Sequence, residues 1–159
     1  MPGTVRRVVT GHDSDGRAVV LIDEACALED GGRAGVSRRV AWTTEGFPVD
    51  NSSGEDTSGR EIGTTLVNGT VFRILEIEPG NAPRIHRTDS IDYAIVISGE
   101  IDMELEEGNF VHLNAGDVVV QRGTIHNWLN RGSEPCRIAF ILIDAAPATV
   151  GGKVLNAVG

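Results

Sequence analysis

Lysine is nearly absent from this chain. Lys153 is the only one, and the other basic residues are arginines. A Schiff-base mechanism therefore has a single amine near the end of the sequence to draw on. Cysteine is almost as scarce: Cys26 and Cys136 lie far apart and in no paired spacing. That excludes a disulfide framework and a zinc-finger pattern, and it suits a reducing cytoplasm. No apolar run approaches the roughly 18 residues of a membrane span, and MPGTVRRVVTGHDSDGR lacks the apolar stretch of a signal peptide. Positive charge is also in deficit, with 14 basic against 23 acidic residues and a net charge of −9. Nucleic acid and anionic membrane surfaces both require a basic footprint, so neither is an expected partner. There is no Gly-x-Ser-x-Gly elbow and no Walker loop. The expectation is one soluble, cytoplasmic domain spanning residues 1–159.

What the sequence does have is a rhythm of short β-forming stretches closed by turn residues. RRVVT, GHDSDG and RAVVLID read as a hairpin on a polar, glycine-ended turn. Residues 24–39, with Gly31, Gly32 and Gly35, read as irregular, and VAWTT (40–44) as a strand. GFPVDNSSGEDTSGREIG (46–63) is dense in Gly, Ser, Asp and Asn, which marks a long surface loop or a disordered one. From Gly69 the pattern sharpens. TVFRILEIEPG ends at Pro79-Gly80, and in EIDMELEEGN the residues Ile101, Met103 and Leu105 alternate with Asp102, Glu104 and Glu106. That alternation is a half-buried strand. NFVHLNAG, DVVVQRG, TIHNWLNRG and EPCRIAFILID continue the series, so the fold class is all-β, a sandwich or barrel. The chain divides into N-terminal hairpin and loops (1–68), a regular β region (69–143) and a tail (144–159) that is a short strand or a loose end.

Within RIHRTDSIDYAIVISG, His86 is followed six residues later by Asp92. The pair could hold a metal, do acid–base work without one, or fill a barrel interior. Two segments resemble the cupin family. Gly80, His86, Thr88, Asp92 and Gly99 keep every spacing of the first cupin motif, with Thr88 in place of its second histidine and Asp92 in place of its glutamate. Gly116, Gly123, His126 and Asn130 follow the second motif, one residue shorter and without its proline. The resemblance covers residues 69–143 and implies a cupin-type jelly-roll β-barrel with the N-terminal hairpin as an extension. It also implies a homodimer, because such N-terminal strands cross to a neighbouring subunit in many cupins.

Carried over residue by residue, the resemblance leaves His86, Asp92 and His126 as a three-point ligand set. Fe, Mn, Ni and Zn would all suit two imidazoles and a carboxylate. Aspartate reaches less far than glutamate, by roughly 1.5 Å, so Asp92 stands either on the metal or behind an imidazole. The leading expectation is a cupin enzyme acting on a small oxygenated organic molecule, as a lyase (dehydratase or decarboxylase) or a dioxygenase. Two rivals stand open. One is a metal-free pocket in which His126 or His86 is the general acid or base, oriented by Asp92, with Thr88 and Tyr93 holding substrate. The other is a cupin that binds and senses a metabolite without turnover.

Trp128 shares strand parity with His126 and Asn130, and either walls the pocket or packs in the core. Arg73, Arg84 and Gln121 are candidates for a substrate carboxylate or carbonyl. Tyr93 follows Asp92 and points to the opposite face of a regular strand. His112, between Val111 and Leu113, and His12, in the hairpin turn, read as surface residues.

Overall fold

The computed structural model describes residues 3–159. As expected, the chain is all-β. Its strands are β1 (Thr4–His12), β2 (Ala18–Ala27), β3 (Glu29–Asp30), β4 (Val36–Glu45), β5 (Gly69–Ile77), β6 (Ser90–Ser98) and β7 (Glu100–Glu104). After a 3-10 turn at Glu106–Gly108 come β8 (Phe110–Asn114), β9 (Val118–Arg122), β10 (Asn127–Leu129), β11 (Cys136–Asp144), β12 (Ala148–Val150) and β13 (Lys153–Leu155). Among the described residues no helix is long and apolar enough to cross a membrane.

A six-stranded sheet runs β3-β4-β5-β11-β6-β9, and a three-stranded sheet runs β10-β7-β8. Register fixes which side chains meet between them. Across the large sheet, Arg73 lies opposite Phe140, Phe140 opposite Ala94, and Ala94 opposite Val119. The next row on the same face is Val71, Leu142, Asp92 and Gln121. The intervening row, Phe72, Ile141, Tyr93 and Val120, takes the outer face because side chains alternate along a strand.

The inner rows pack on the small sheet. Val96, Ile138 and Phe140 share one core with Ile101, Met103, Leu113 and Trp128, each such large side chain contributing roughly 1.5–3 kcal/mol when fully buried. Trp128 meets Phe140 edge to face at 5.3 Å between ring centroids, which ties the two sheets together. The turn between β6 and β7 requires Gly99. Its φ is +76°, and a Cβ there would lie 2.6 Å from the Pro135 carbonyl oxygen.

One sequence expectation changes. Residues 24–39 are not irregular throughout: β2 continues to Ala27 and β4 begins at Val36. Cross-strand pairing from Val5 to Cys26 and from Val36 to Ile77 overrides the glycines, which only shape the turn between. Asp102 shares the outer face with His112, as the alternation predicts, but is covered there. It is buried, held by His112 Nδ1 at 2.8 Å and Arg131 Nη1 at 2.9 Å. The 46–63 segment contains no strand, as a long surface loop would, and it is anchored. Thr57 Oγ1 donates to the Thr43 carbonyl at 2.7 Å and accepts from Thr43 N–H at 3.0 Å. The tail forms the β12-β13 hairpin, and Val158 then pairs with Arg87.

Candidate functional site

His86 and His126 come from segments forty positions apart, and an isolated antiparallel bridge joins their backbones. His86 N–H donates to His126 O at 3.0 Å, and His126 N–H donates to His86 O at 2.9 Å. The two rings therefore leave the chain side by side, with centroids 4.3 Å apart and planes at 47°. His126 also lies edge-on to Trp128 at 6.1 Å. Both histidines are buried.

Their tautomers follow from the local backbone. His86 Nδ1 lies 3.0 Å from the Arg84 carbonyl, and His126 Nδ1 lies 3.0 Å from the Thr124 carbonyl. A carbonyl can only accept, so each Nδ1 carries the proton and each Nε2 keeps its lone pair. Burial pushes His86 down to about 4, with His126 beside it adding to the effect. Burial lowers His126 as well, and the Arg84 charge acts in the same direction. Both rings are neutral at pH 7.

Asp92 is buried on the inner face of β6 but is turned toward another partner. Ser90 Oγ donates to Asp92 Oδ1 at 2.6 Å, and Thr88 Oγ1 stands 2.8 Å from Ser90 Oγ. Ser90 Oγ is the donor toward Thr88 Oγ1 as well, so its one proton is shared between the two contacts. The three form one hydroxyl chain ending on Asp92. Burial raises the Asp92 carboxyl above its ordinary range despite the Ser90 hydrogen bond and the Arg73 charge. Thr88 also lines a cleft of about 530 Å³ with Thr64, Arg84 and Arg87, so the chain begins at a solvent-facing wall.

The three-point ligand set implied by the resemblance does not assemble. Among the described residues no three His, Cys, Asp or Glu side chains converge to hold a metal ion. The donors that the fold does present are the two Nε2 atoms, each backed by the Nδ1–H···O=C contact that orients a metal-binding imidazole. The donor set thus suits a divalent ion at two positions, with Asp92 committed to Ser90.

The other predicted residues divide. Trp128 is buried in the core and closes one side of the imidazole pair. Gln121 is buried beside Asp92. Its Nε2 donates to Thr124 O at 2.9 Å, and its Oε1 has no partner. Arg73 is buried on the inner face of β5 and donates through Nη2 to the Thr64 carbonyl. Arg84 donates to Thr64 Oγ1 at 3.1 Å. Tyr93 is on the outer face and 43% exposed, so it cannot hold substrate with Thr88. His112 and His12 are exposed. Sequence reasoning missed Ser90 and Arg38. The first was legible, since Thr88, Ser90 and Asp92 alternate on one face. The second lay in a stretch read as irregular and carried no signal.

Comparison with known proteins agrees with this architecture. The chain is 37% identical to "Phomopsin biosynthesis cluster protein C'" of Diaporthe leptostromiformis, over 98% of this chain and 86% of that one. It is 34% identical to the "Cupin-domain-containing oxidoreductase fogC" of Aspergillus ruber, over 96% and 78% of the two chains. The structure of KdgF from Halomonas sp. superposes with a TM-score of 0.50 at 17% identity, covering 74% of this chain and 87% of that one, a likeness of fold. Residues 73–143 match the cupin domain model. On its sequence relatives and its fold together, the chain belongs to the cupin family.

Proposed function

We infer that this chain is a cupin enzyme of the oxidoreductase class, working on a small oxygenated organic molecule in a biosynthetic route, with His86 and His126 at the reacting centre. One observation carries the reading. Two neutral imidazoles, each fixed through Nδ1–H, present Nε2 lone pairs side by side in an interior walled by Trp128. The names of the relatives support it: one is an oxidoreductase and another a biosynthesis cluster protein.

His86 and His126 would hold the divalent ion, which when bound supplies Lewis-acid polarisation of a substrate oxygen. The chain's own residues do the rest. The Arg84 charge disfavours protonation of both rings and so keeps their lone pairs available. Trp128 keeps water from one side of the pair and offers a flat apolar wall to the substrate. When both hydroxyls turn toward Asp92, a proton that substrate gives to Thr88 Oγ1 would be matched by transfer of Thr88's own hydroxyl proton to Ser90 Oγ and of Ser90's to Asp92 Oδ1, where a raised pKa lets the carboxylate accept it.

Two measurements test the reading. Untagged protein produced with Fe, Mn, Ni and Zn supplied is expected to carry close to one divalent ion per chain, lost in His86→Ala and His126→Ala. A content below about a tenth per chain would remove the metal from the proposal. Metabolites of cells carrying the wild-type chain or His126→Ala are then compared. An enzyme leaves its substrate accumulated in the variant, and identical profiles would sink the enzymatic reading.

A further inference from the structure

A cleft of about 360 Å³ opens between β4 and the 58–63 loop, lined by Arg38, Arg39, Arg60 and Arg73 with Glu29 and Glu61. Four guanidinium groups at one place are unexpected in a chain of net charge −9. Two are already neutralised. Arg39 pairs with Glu29 at 2.5 Å, and Arg60 reaches Glu45 at 3.5 Å and Glu55 at 3.8 Å, away from the cleft. Among the described residues neither Arg38 nor Arg73 forms an ion pair.

Arg73 is the telling member. It is 7% exposed, its Nη2 is spent on the Thr64 carbonyl, and its Nε–H is buried without a partner. The Asp92 charge favours the Arg73 cation without forming a salt bridge to it, and taking a guanidinium out of water with no direct ion pair is a costly arrangement. Burial lowers the Arg73 pKa to about 10, with Arg38 contributing, so the group is still charged at pH 7. The Arg39 Nε–H on the same wall is likewise buried and unpartnered. A cationic wall with unused buried donors is complementary to an anionic oxygen.

We propose that this cleft is a substrate subsite that takes the carboxylate of a small organic acid, with Arg73 as its buried end and Arg38 at its mouth. The inference rests on the reading above, in which the imidazole pair is the reacting centre, and it names the substrate class. The two places are joined through Thr64. Its carbonyl accepts from Arg73 and its hydroxyl from Arg84, whose charge acts on both imidazoles. A carboxylate seated on Arg73 would therefore stand at one end of this Thr64 link, and the Arg73 charge also acts on Asp92.

The test is calorimetric titration of the full chain at pH 7 and low salt with benzoate, with benzyl alcohol as its neutral counterpart, and with inorganic phosphate. Benzoate is expected to bind and benzyl alcohol not to. Arg73→Met and Arg38→Gln should each weaken benzoate about tenfold or more, the loss of a hydrogen bond to a charged group. Arg38 is exposed, so Arg38→Gln keeps the question answerable where Arg73→Met does not fold. The proposal is overturned if benzoate gives no heat, if benzyl alcohol binds equally well, or if Arg38→Gln retains wild-type affinity. Phosphate binding more tightly than benzoate would overturn the assignment to carboxylates. His126→Ala is expected to keep benzoate affinity. Because binding is read without turnover, failure here is separable from failure of the imidazole reading.

Discussion

Arg7 and Asp56, 49 positions apart, form a two-pronged ion pair: Nη1 to Oδ1 at 2.8 Å and Nη2 to Oδ2 at 2.6 Å. Arg7 is buried, and it also bonds Glu24 and the Ala41 carbonyl. One guanidinium therefore staples the N-terminal hairpin, β4 and the glycine- and serine-rich 46–63 loop together. The Arg7 hydrogen bonds hold the Asp56 carboxyl well below the usual carboxylate range. A folded pKa below the unfolded one gives stability that is present above about pH 4 and lost as pH falls. Asp56→Ala is expected to cost about 1 kcal/mol, discounted because Asp56 is 39% exposed. It should also flatten the acid limb of the stability curve and speed proteolysis within 46–63. Chemical denaturation at several pH values, with limited proteolysis, measures all three effects.

The histidines should titrate in a spread order. His112 is raised above its ordinary value by its hydrogen bond to Asp102, with Asp102 and Glu100 adding charge. His86 is pushed down to about 4 and His126 is lowered. Imidazole NMR titration of chelator-treated protein should show His112 protonating at higher pH than His86 and His126. The signs differ in their effect on stability. The His112 contribution is present below about pH 6.5 and fades as pH rises through its higher folded value. The lowered histidines stay neutral when buried, so their contribution falls as pH drops from about 6.5 and levels off near the folded values. His86 titrating above His112 would contradict the geometry described for both.

Asn130, which closes the second motif, acts structurally. It is 1% exposed. Its Nδ2 donates to the Ile77 and Glu134 carbonyls, both at 2.8 Å, and its Oδ1 accepts from Gly132 N–H at 2.9 Å. Its own N–H donates to Asn81 Oδ1 at 2.8 Å. Asn130→Ala strands the buried Ile77 carbonyl and should cost about 1–3 kcal/mol, the penalty for one unsatisfied group. Asn130→Asp preserves shape but removes both donors, and should be no better tolerated. Urea denaturation measures both.

Arg73 gives a stability prediction opposite in sign. Replacing a buried cation that has no salt bridge by an apolar side chain of similar length removes its desolvation penalty, which offsets the loss of its hydrogen bond to Thr64. Arg73→Met is therefore expected to match or exceed the wild-type melting temperature while losing benzoate affinity. A large fall in melting temperature would mean that Arg73 is a structural group.

Much of the fold was legible because strand alternation is a local property. The period-two pattern placed Ile101 and Met103 inward, and it set Asp92 and Tyr93 on opposite faces before any contact was known. Motif spacing likewise brought His86 and His126 into one expected site. Residues 24–39 were misread because the glycines are local signals, whereas the pairing of β2 with β1 and of β4 with β5 is not.

The sequence by itself determined the all-β class, the strand faces, and the pairing of two imidazoles with a nearby carboxyl on the same side. Only the tertiary structure decided that Asp92 turns to Ser90 rather than joining the imidazoles, and that Arg38 and Arg73 share a cleft without either forming an ion pair among the described residues. The reason is reach. Which face a side chain takes depends on its own backbone, but which charge or lone pair it meets depends on register and packing between segments tens of residues apart.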